Sequence, residues 1–186
     1  MRVSGAGSAT VDGHAVPLSD AAAMEAALRP GARVRLPDDA QLEVAAGRSM
    51  AIQMTGGTDA VVPAVPGRWF GRSVRGTMAA GEWRITTGAD FPGSRLEVVT
   101  PAAHVEVSGT TLAVICQPQG TCVCVYEGHV LVGRDASDLH TVLAGRRRYT
   151  YVAPGKPALD DAMLPVEVPA LGSFCETARP LTKRPR

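Results

Sequence analysis

Between Leu96 and Leu143 apolar and polar residues alternate through most of the stretch, and turn residues mark the interruptions. Leu96, Val98, Val105, Val107, Leu112, Val114, Val123, Val125, Val130 and Val132 all fall in period-two runs. A chain with this period turns one side chain into a core and the next toward water, as a half-buried strand does. The pattern predicts an all-β protein: an antiparallel β-sandwich, or a short solenoid-like coil of strands, with many short strands and at most one short helix. Twenty glycines, fourteen prolines and only 4% aromatic residues fit short strands joined by turns. No exact internal repeat is present, although the Val-x-Val and Gly-turn pattern recurs at uneven spacing.

The rest of the chain divides around this stretch. Residues 1–8 are small and polar and read as an N-terminal arm or edge strand. Residues 9–152 form the β-domain. It opens with a hairpin over Ala9–Val16, in which Asp12-Gly13 supplies the positive φ angles of a tight turn. Between Pro17 and Leu28 two readings stand: a short helix capped by Ser19 or Asp20 and ended by Pro30-Gly31, or an extended loop. Val34, Leu36, Leu42 and Val44 read as strand residues around a Pro37-Asp38-Asp39 turn, and Met50, Ile52 and Met54 as the next strand. Val61 to Gly71, rich in Pro and Gly, reads as an irregular loop. Tyr149–Val152 reads as the last strand. Residues 153–186 read as a Pro-rich tail. Its prolines forbid a central strand and break any long helix. It is expected to pack through Leu164, Val166, Val168 and Leu171 and to be loose from Thr177.

A formal net charge of +1 gives no basic footprint for nucleic acid. No apolar run approaches the roughly 20 residues of a membrane helix, so no direct membrane insertion is expected. No signal peptide is visible. The chain is expected to be cytoplasmic or a soluble part of something larger.

Few residues suggest chemistry. Cys116, Cys122 and Cys124 share one predicted hairpin, and Cys175 lies in the tail. Cys122 and Cys124 must face the same way. If the loop is Gln117–Gly120, Cys116 lies opposite Thr121 and faces away from both. If Thr121 joins the loop, Cys116 lies across from Cys122, within the Cα spacing a disulfide needs. An even count fits structural disulfides, with Cys175 tying the tail to the β-core; free buried thiols are the alternative. A metal or redox site has weaker support, because C-x-C is not the usual zinc spacing and no H-x3-H partner exists. His14, His104, His129 and His140 show no converging pattern. Ser108-Gly109-Thr110 reads as a turn, with Gly109 supplying a backbone angle or a close approach. Asp38-Asp39 and Asp160-Asp161 read as solvent-facing pairs. No phosphate loop, dinucleotide-binding glycine pattern or zinc-protease helix occurs. No catalytic residue, metal or cofactor is assigned. Among Trp69, Phe70 and Trp83, one is expected to fill the core; Trp69-Phe70, if exposed, is the natural place for a partner to dock.

Thr100-Pro101-Ala102-Ala103 is followed by a short strand, then Gly109-Thr110, then Leu112 and Val114. Glu127-Gly128-His129-Val130 and Leu143-Ala144-Gly145 come next. This order resembles the FecR domain, the periplasmic regulatory module of iron-uptake signalling proteins. The motif residues carried over are Thr100, Pro101, Gly109, Thr110, Glu127, Gly128 and Gly145. Upstream, Val34 to Leu42 resembles the family's strand with an Asp-Gly turn, but Asp39 stands where the family usually has Gly. The resemblance covers about residues 10 to 150. It implies a non-enzymatic signal-transduction module, periplasmic or extracellular, that binds another envelope protein by strand addition or surface docking and passes a signal to a sigma factor. FecR-type regulators usually carry an anti-sigma segment and one membrane helix before this domain. With neither present, the β-module alone, or an atypical secreted member, is expected. A secreted scaffold or adhesion domain and a cupin-like ligand-binding barrel are the alternatives.

Overall fold

The computed structural model describes residues 1–67, 70–143, 146–152 and 156–182. The chain begins with β1 (Arg2–Ser4), an edge partner for a later strand. β2 (Ser8–Val11) and β3 (His14–Pro17) form the expected hairpin, with Asp12 at φ 50° and Gly13 at φ 84°. The segment that follows is helical. In α1 (Ala21–Ala27), Asp20 accepts the Ala23 N–H at 2.9 Å and caps the first turn, and Met24 is the helix's buried anchor. β4 (Arg33–Arg35) leads through the Pro37–Ala40 turn to β5 (Gln41–Ala46). Asp39 keeps a non-positive φ there, so that turn does not require the glycine usual in FecR domains.

β6 (Met50–Met54) and β7 (Asp59–Val61) precede the irregular loop, and β8 (Ser73–Thr87) follows it as one long strand. β9 (Arg95–Val99), β10 (His104–Gln117) and β11 (Gly120–Gly133) are the alternating stretch itself. Then come β12 (His140–Leu143), β13 (Arg147–Tyr151), β14 (Leu159–Ala162) and α2 (Glu167–Thr182). β13 is therefore not the last strand: β14 pairs with it as an edge, in a proline-free stretch between Pro157 and Pro165.

The long strands each serve two half-sheets. The first half of β8 pairs with β7 and, in parallel, with β9; its second half pairs with β6 and the second half of β10. β10 changes partners from β9 to β8, and β11 from β13 to β12. One half-sheet thus runs β12-β11-β10-β9-β8-β7-β4-β2-β3, and the other β14-β13-β11-β10-β8-β6-β5-β1. Their inner faces share one core, containing Val34, Leu96, Val105 and Val132 from the first and Leu42, Met54, Trp83 and Val123 from the second.

The strands bend where their registers slip. Ser108-Gly109, expected as a turn, is a bulge inside continuous β10, two residues opposite the single His129. The Glu127-Gly128 motif likewise lies within β11. A side chain on Gly109 would meet nothing within 4 Å, and its φ is not positive, so neither expected reason for glycine holds there. The constraint sits on Gly128, at φ 84°, where a Cβ would come within 2.4 Å of the Gly109 carbonyl oxygen. Thr110 closes the bulge by donating its hydroxyl to the His129 carbonyl at 2.5 Å.

The tail departs most from expectation. It forms α2, which covers the outer face of the second half-sheet. Pro169 falls in the first turn, where an N–H would have no intrahelical partner, and Pro180 in the last. Neither interrupts the helix interior. The Glu167 carboxylate accepts the Leu164 N–H at 2.7 Å while the Glu167 N–H bonds the Leu164 carbonyl, a reciprocal start to the helix. Leu171, Phe174, Cys175 and Ala178 are buried, whereas Leu164 and Val166, expected to pack, are exposed. Burial thus continues past Thr177, because one face of α2 keeps helical spacing. No helix among the described residues is long and apolar enough to cross a membrane.

Candidate functional site

Residues paired in register on neighbouring strands point to the same face of a sheet. One such row crosses the outer face of the second half-sheet: Arg2, Glu43, Gln53, Arg84, Ala113, Cys124, Arg148 and Asp161. By alternation this face reads as solvent-facing, but α2 lies across it. Polar groups are therefore held at a helix–sheet interface.

At one end of the row, Glu43 is buried. Its Oε2 accepts from Gln53 Nε2 at 3.4 Å, and its Oε1 has only a charge contact with Arg2 Nη1 at 3.4 Å. Arg84 donates to Gln53 Oε1 at 3.0 Å and to Glu82 Oε1 at 2.6 Å. Arg2, Glu43, Gln53 and Arg84, with Ser173, Phe174 and Thr177 of α2, line an open cleft of about 730 Å³.

At the middle of the row lie the thiols. β10 and β11 take the register in which Cys116 opposes Thr121, across a two-residue loop. Cys116 therefore faces the main core and points its Sγ at the Ala79 carbonyl, 3.4 Å away. Burial pushes its thiol pKa up. Cys122 and Cys124 face α2, with their Sγ atoms 3.3 Å apart. Arg148 Nε lies 3.2 Å from Cys122 Sγ and 3.8 Å from Glu167 Oε1. The Cys124 thiol donates to Cys122 and draws the Cys122 pKa down, against burial, with help from Arg148 and Thr150. Cys124 is pushed up by the same bond, by burial and by the nearby Glu167 carboxylate. Ligand atoms of Cys122, Cys124 and Glu167 all lie within 4.8 Å of one another.

All four cysteines are free in this structure, which contains none of the expected disulfides. The hairpin register sends Cys116 to the opposite face from its neighbours. Cys175 does help fix the tail, but by packing: its Sγ lies 3.6 Å from Thr111 Oγ1 and 3.7 Å from Glu127 Oε2.

The remaining motif residues shape the backbone. Thr100 closes the β9–β10 connection: its hydroxyl accepts the Ala103 N–H at 2.9 Å and sits 2.8 Å from Thr121 Oγ1, and Pro101 follows it in the turn. Gly145 lies outside the described residues, as does Trp69. Trp83 is the aromatic that fills the core, fully buried. Phe70, by contrast, is 90% exposed. Its loop also carries Val65, 55% exposed, and borders a shallow cleft with Arg48, Arg72, Asp90 and Pro92. His104 is buried beside Glu97, whereas His14, His129 and His140 are exposed and do not converge with it. Asp38, Asp39, Asp160 and Asp161 are exposed, as expected.

No protein-family model matches the chain, and no curated protein matches it. Solved structures do. Two crystal structures of a candidate anti-sigma factor from Parabacteroides distasonis ATCC 8503 superpose with TM-scores of 0.60 and 0.61, each at 17% sequence identity over 74% of this chain. The chain spans 63% and 62% of the length of those two structures, less than two thirds. At this identity the likeness is one of fold: the β-domain described above shares its architecture with that protein.

Proposed function

We propose that this chain is a FecR-like regulatory module of the cell envelope, periplasmic or extracellular, that acts by holding another protein and carries out no turnover. The reading is supported by the architecture shared with the Parabacteroides protein and by the order of the Thr100-Pro101, Gly109-Thr110 and Glu127-Gly128 motifs. A link to sigma-factor control, and through it to iron uptake, follows the same resemblance.

The observation that carries the docking role is Phe70. A ring left 90% in water costs hydration free energy that a partner's surface can recover. Val65, exposed on the same loop, is a second apolar side chain there, and it borders a cleft that carries the charges of Arg48, Arg72 and Asp90. A photoreactive residue placed at position 70 in the native cell tests this. The expected result is one dominant cross-linked envelope protein, absent when the probe is moved to exposed Glu25. Equal labelling from both positions, or adducts with cytosolic proteins only, would overturn the reading.

A further inference from the structure

We propose that Cys122, Cys124 and Glu167 form a binding site for a zinc-type divalent cation, joining β11 to the first turn of α2. The site is independent of the docking role of Phe70, and either can fail without the other.

Donor chemistry comes first. Two thiol sulfurs and one carboxylate oxygen lie within 4.8 Å of one another, and all three residues are buried or half-buried. Sulfur and carboxylate donors together suit zinc better than the hard cations calcium and magnesium. Zinc–sulfur bonds of about 2.3 Å in a tetrahedron set the sulfurs about 3.8 Å apart. The present separation is 3.3 Å, so the pair must open by about 0.5 Å. Small χ1 rotations of two side chains on one strand face supply that. The sequence conceals the site because its third ligand comes from the tail, far along the chain from the C-x-C pair.

Charge balance comes second. Two thiolates and a carboxylate total −3. A divalent cation and the Arg148 guanidinium, 3.2 Å from Cys122 Sγ and 3.8 Å from Glu167 Oε1, total +3. The filled site is neutral, as a half-buried cluster must nearly be. Arg148 serves there as the outer hydrogen-bond donor that holds a ligating sulfur in place.

Room and access come third. A cavity of about 160 Å³ touches both Cys124 and Glu167 and is bordered by Glu82, Arg84, Ile115 and Val166. A water molecule occupies about 30 Å³ in the liquid. The cavity therefore accommodates water as the fourth ligand and provides a route for the ion beneath the exposed Val166.

The test uses the reduced full-length chain titrated separately with Zn²⁺, Cd²⁺ and Co²⁺. The expected result is one equivalent bound, with a thiolate-to-metal charge-transfer band for Cd²⁺ and tetrahedral visible absorption for Co²⁺. Cys122→Ser and Cys124→Ser should each abolish these signals, Glu167→Gln should weaken binding at least tenfold, and Cys116→Ser should leave both unchanged. Because a ligand variant could misfold, protection is measured in parallel on the unaltered protein. Bound Zn²⁺ should slow alkylation of Cys122 and Cys124 at least tenfold and leave Cys116 unaffected. No saturable signal, a signal that survives the double Cys122→Ser, Cys124→Ser change, or equal protection of all four thiols would overturn the proposal.

Discussion

The indole of Trp83 fills the space that a side chain on Gly76 would need: a Cβ at position 76 would come within 2.7 Å of the ring. Both residues lie on β8, seven positions apart, one in each half-sheet. The strand must therefore roll over its own tryptophan, and glycine is what allows the close approach. Gly76→Ala forces the ring or the backbone aside. Overpacking of this kind costs about 1–3 kcal/mol, read as a lower denaturant midpoint with an unchanged slope.

The two glycines at the bulge separate a motif's identity from its cause. Gly128 combines φ 84° with a Cβ position 2.4 Å from the Gly109 carbonyl oxygen, whereas Gly109 has open space and an ordinary backbone. Gly128→Ala should lose about 2 kcal/mol or more, from left-handed strain plus the clash. Gly109→Ala should stay within about 0.5 kcal/mol of the parent. Paired thermal melts of the two variants check this; equal losses would contradict it.

The strands were legible because their signals are local. Asp12-Gly13 encodes its hairpin turn in two residues, and alternation from Leu96 onward encodes which side chains go inward. What covers the outward side chains is not local. Glu43, Gln53 and Cys124 sit at outward positions of their strands, and it is α2, from the far end of the chain, that covers this face and buries them. That helix was hidden because Pro169 and Pro180 read as breakers, although each falls in a terminal turn. The bulge at Ser108-Gly109 was hidden for a related reason: Gly with Ser and Thr reads the same in a turn and in a slipped register. The thiol and carboxylate cluster needed both the hairpin register and the helix, so no spacing rule along the chain could reveal it.

Asp59 sets a pH dependence at the other half-sheet. Its carboxylate receives Arg33 Nε at 2.7 Å and Arg35 Nε at 2.9 Å, and the Arg33 hydrogen bond chiefly holds its pKa below the usual carboxylate range. A pKa depressed by folding adds stability that is fully present above the unfolded value of about 3.9. That stability is lost as pH falls from there through the lower folded pKa. Both arginines are more than half exposed, so solvent screening keeps the contribution of the two pairs small. Asp59→Asn should be slightly less stable than the parent at pH 6 in low salt. The gap between variant and parent should begin to close below about pH 4, and should shrink at 1 M salt. Denaturant melts at pH 6 and pH 3, each in low salt and in 1 M salt, measure both effects.

Phe174 anchors α2 over the thiols. It is 2% exposed and packs with Leu171, Ala178, Met163, Ala113 and the Cys122–Cys124 pair, in a cluster separate from the main core. Removing a buried phenyl costs about 3–5 kcal/mol. Here the loss falls on one helix that contacts the rest of the protein through a single face, so the sheet can survive while α2 opens. Phe174→Ala should therefore raise the native-state alkylation rates of Cys122, Cys124 and Cys175 at least tenfold. Cys116, on the other face of the sheet, should stay protected until global unfolding. Mass spectrometry of the alkylated protein assigns each rate to its cysteine. The same measurement checks the redox state: unaltered protein, denatured without reductant, should titrate four thiols. Two thiols would mean a disulfide that this packing does not contain, and equal acceleration of all four would mean that α2 and the sheet unfold as one unit.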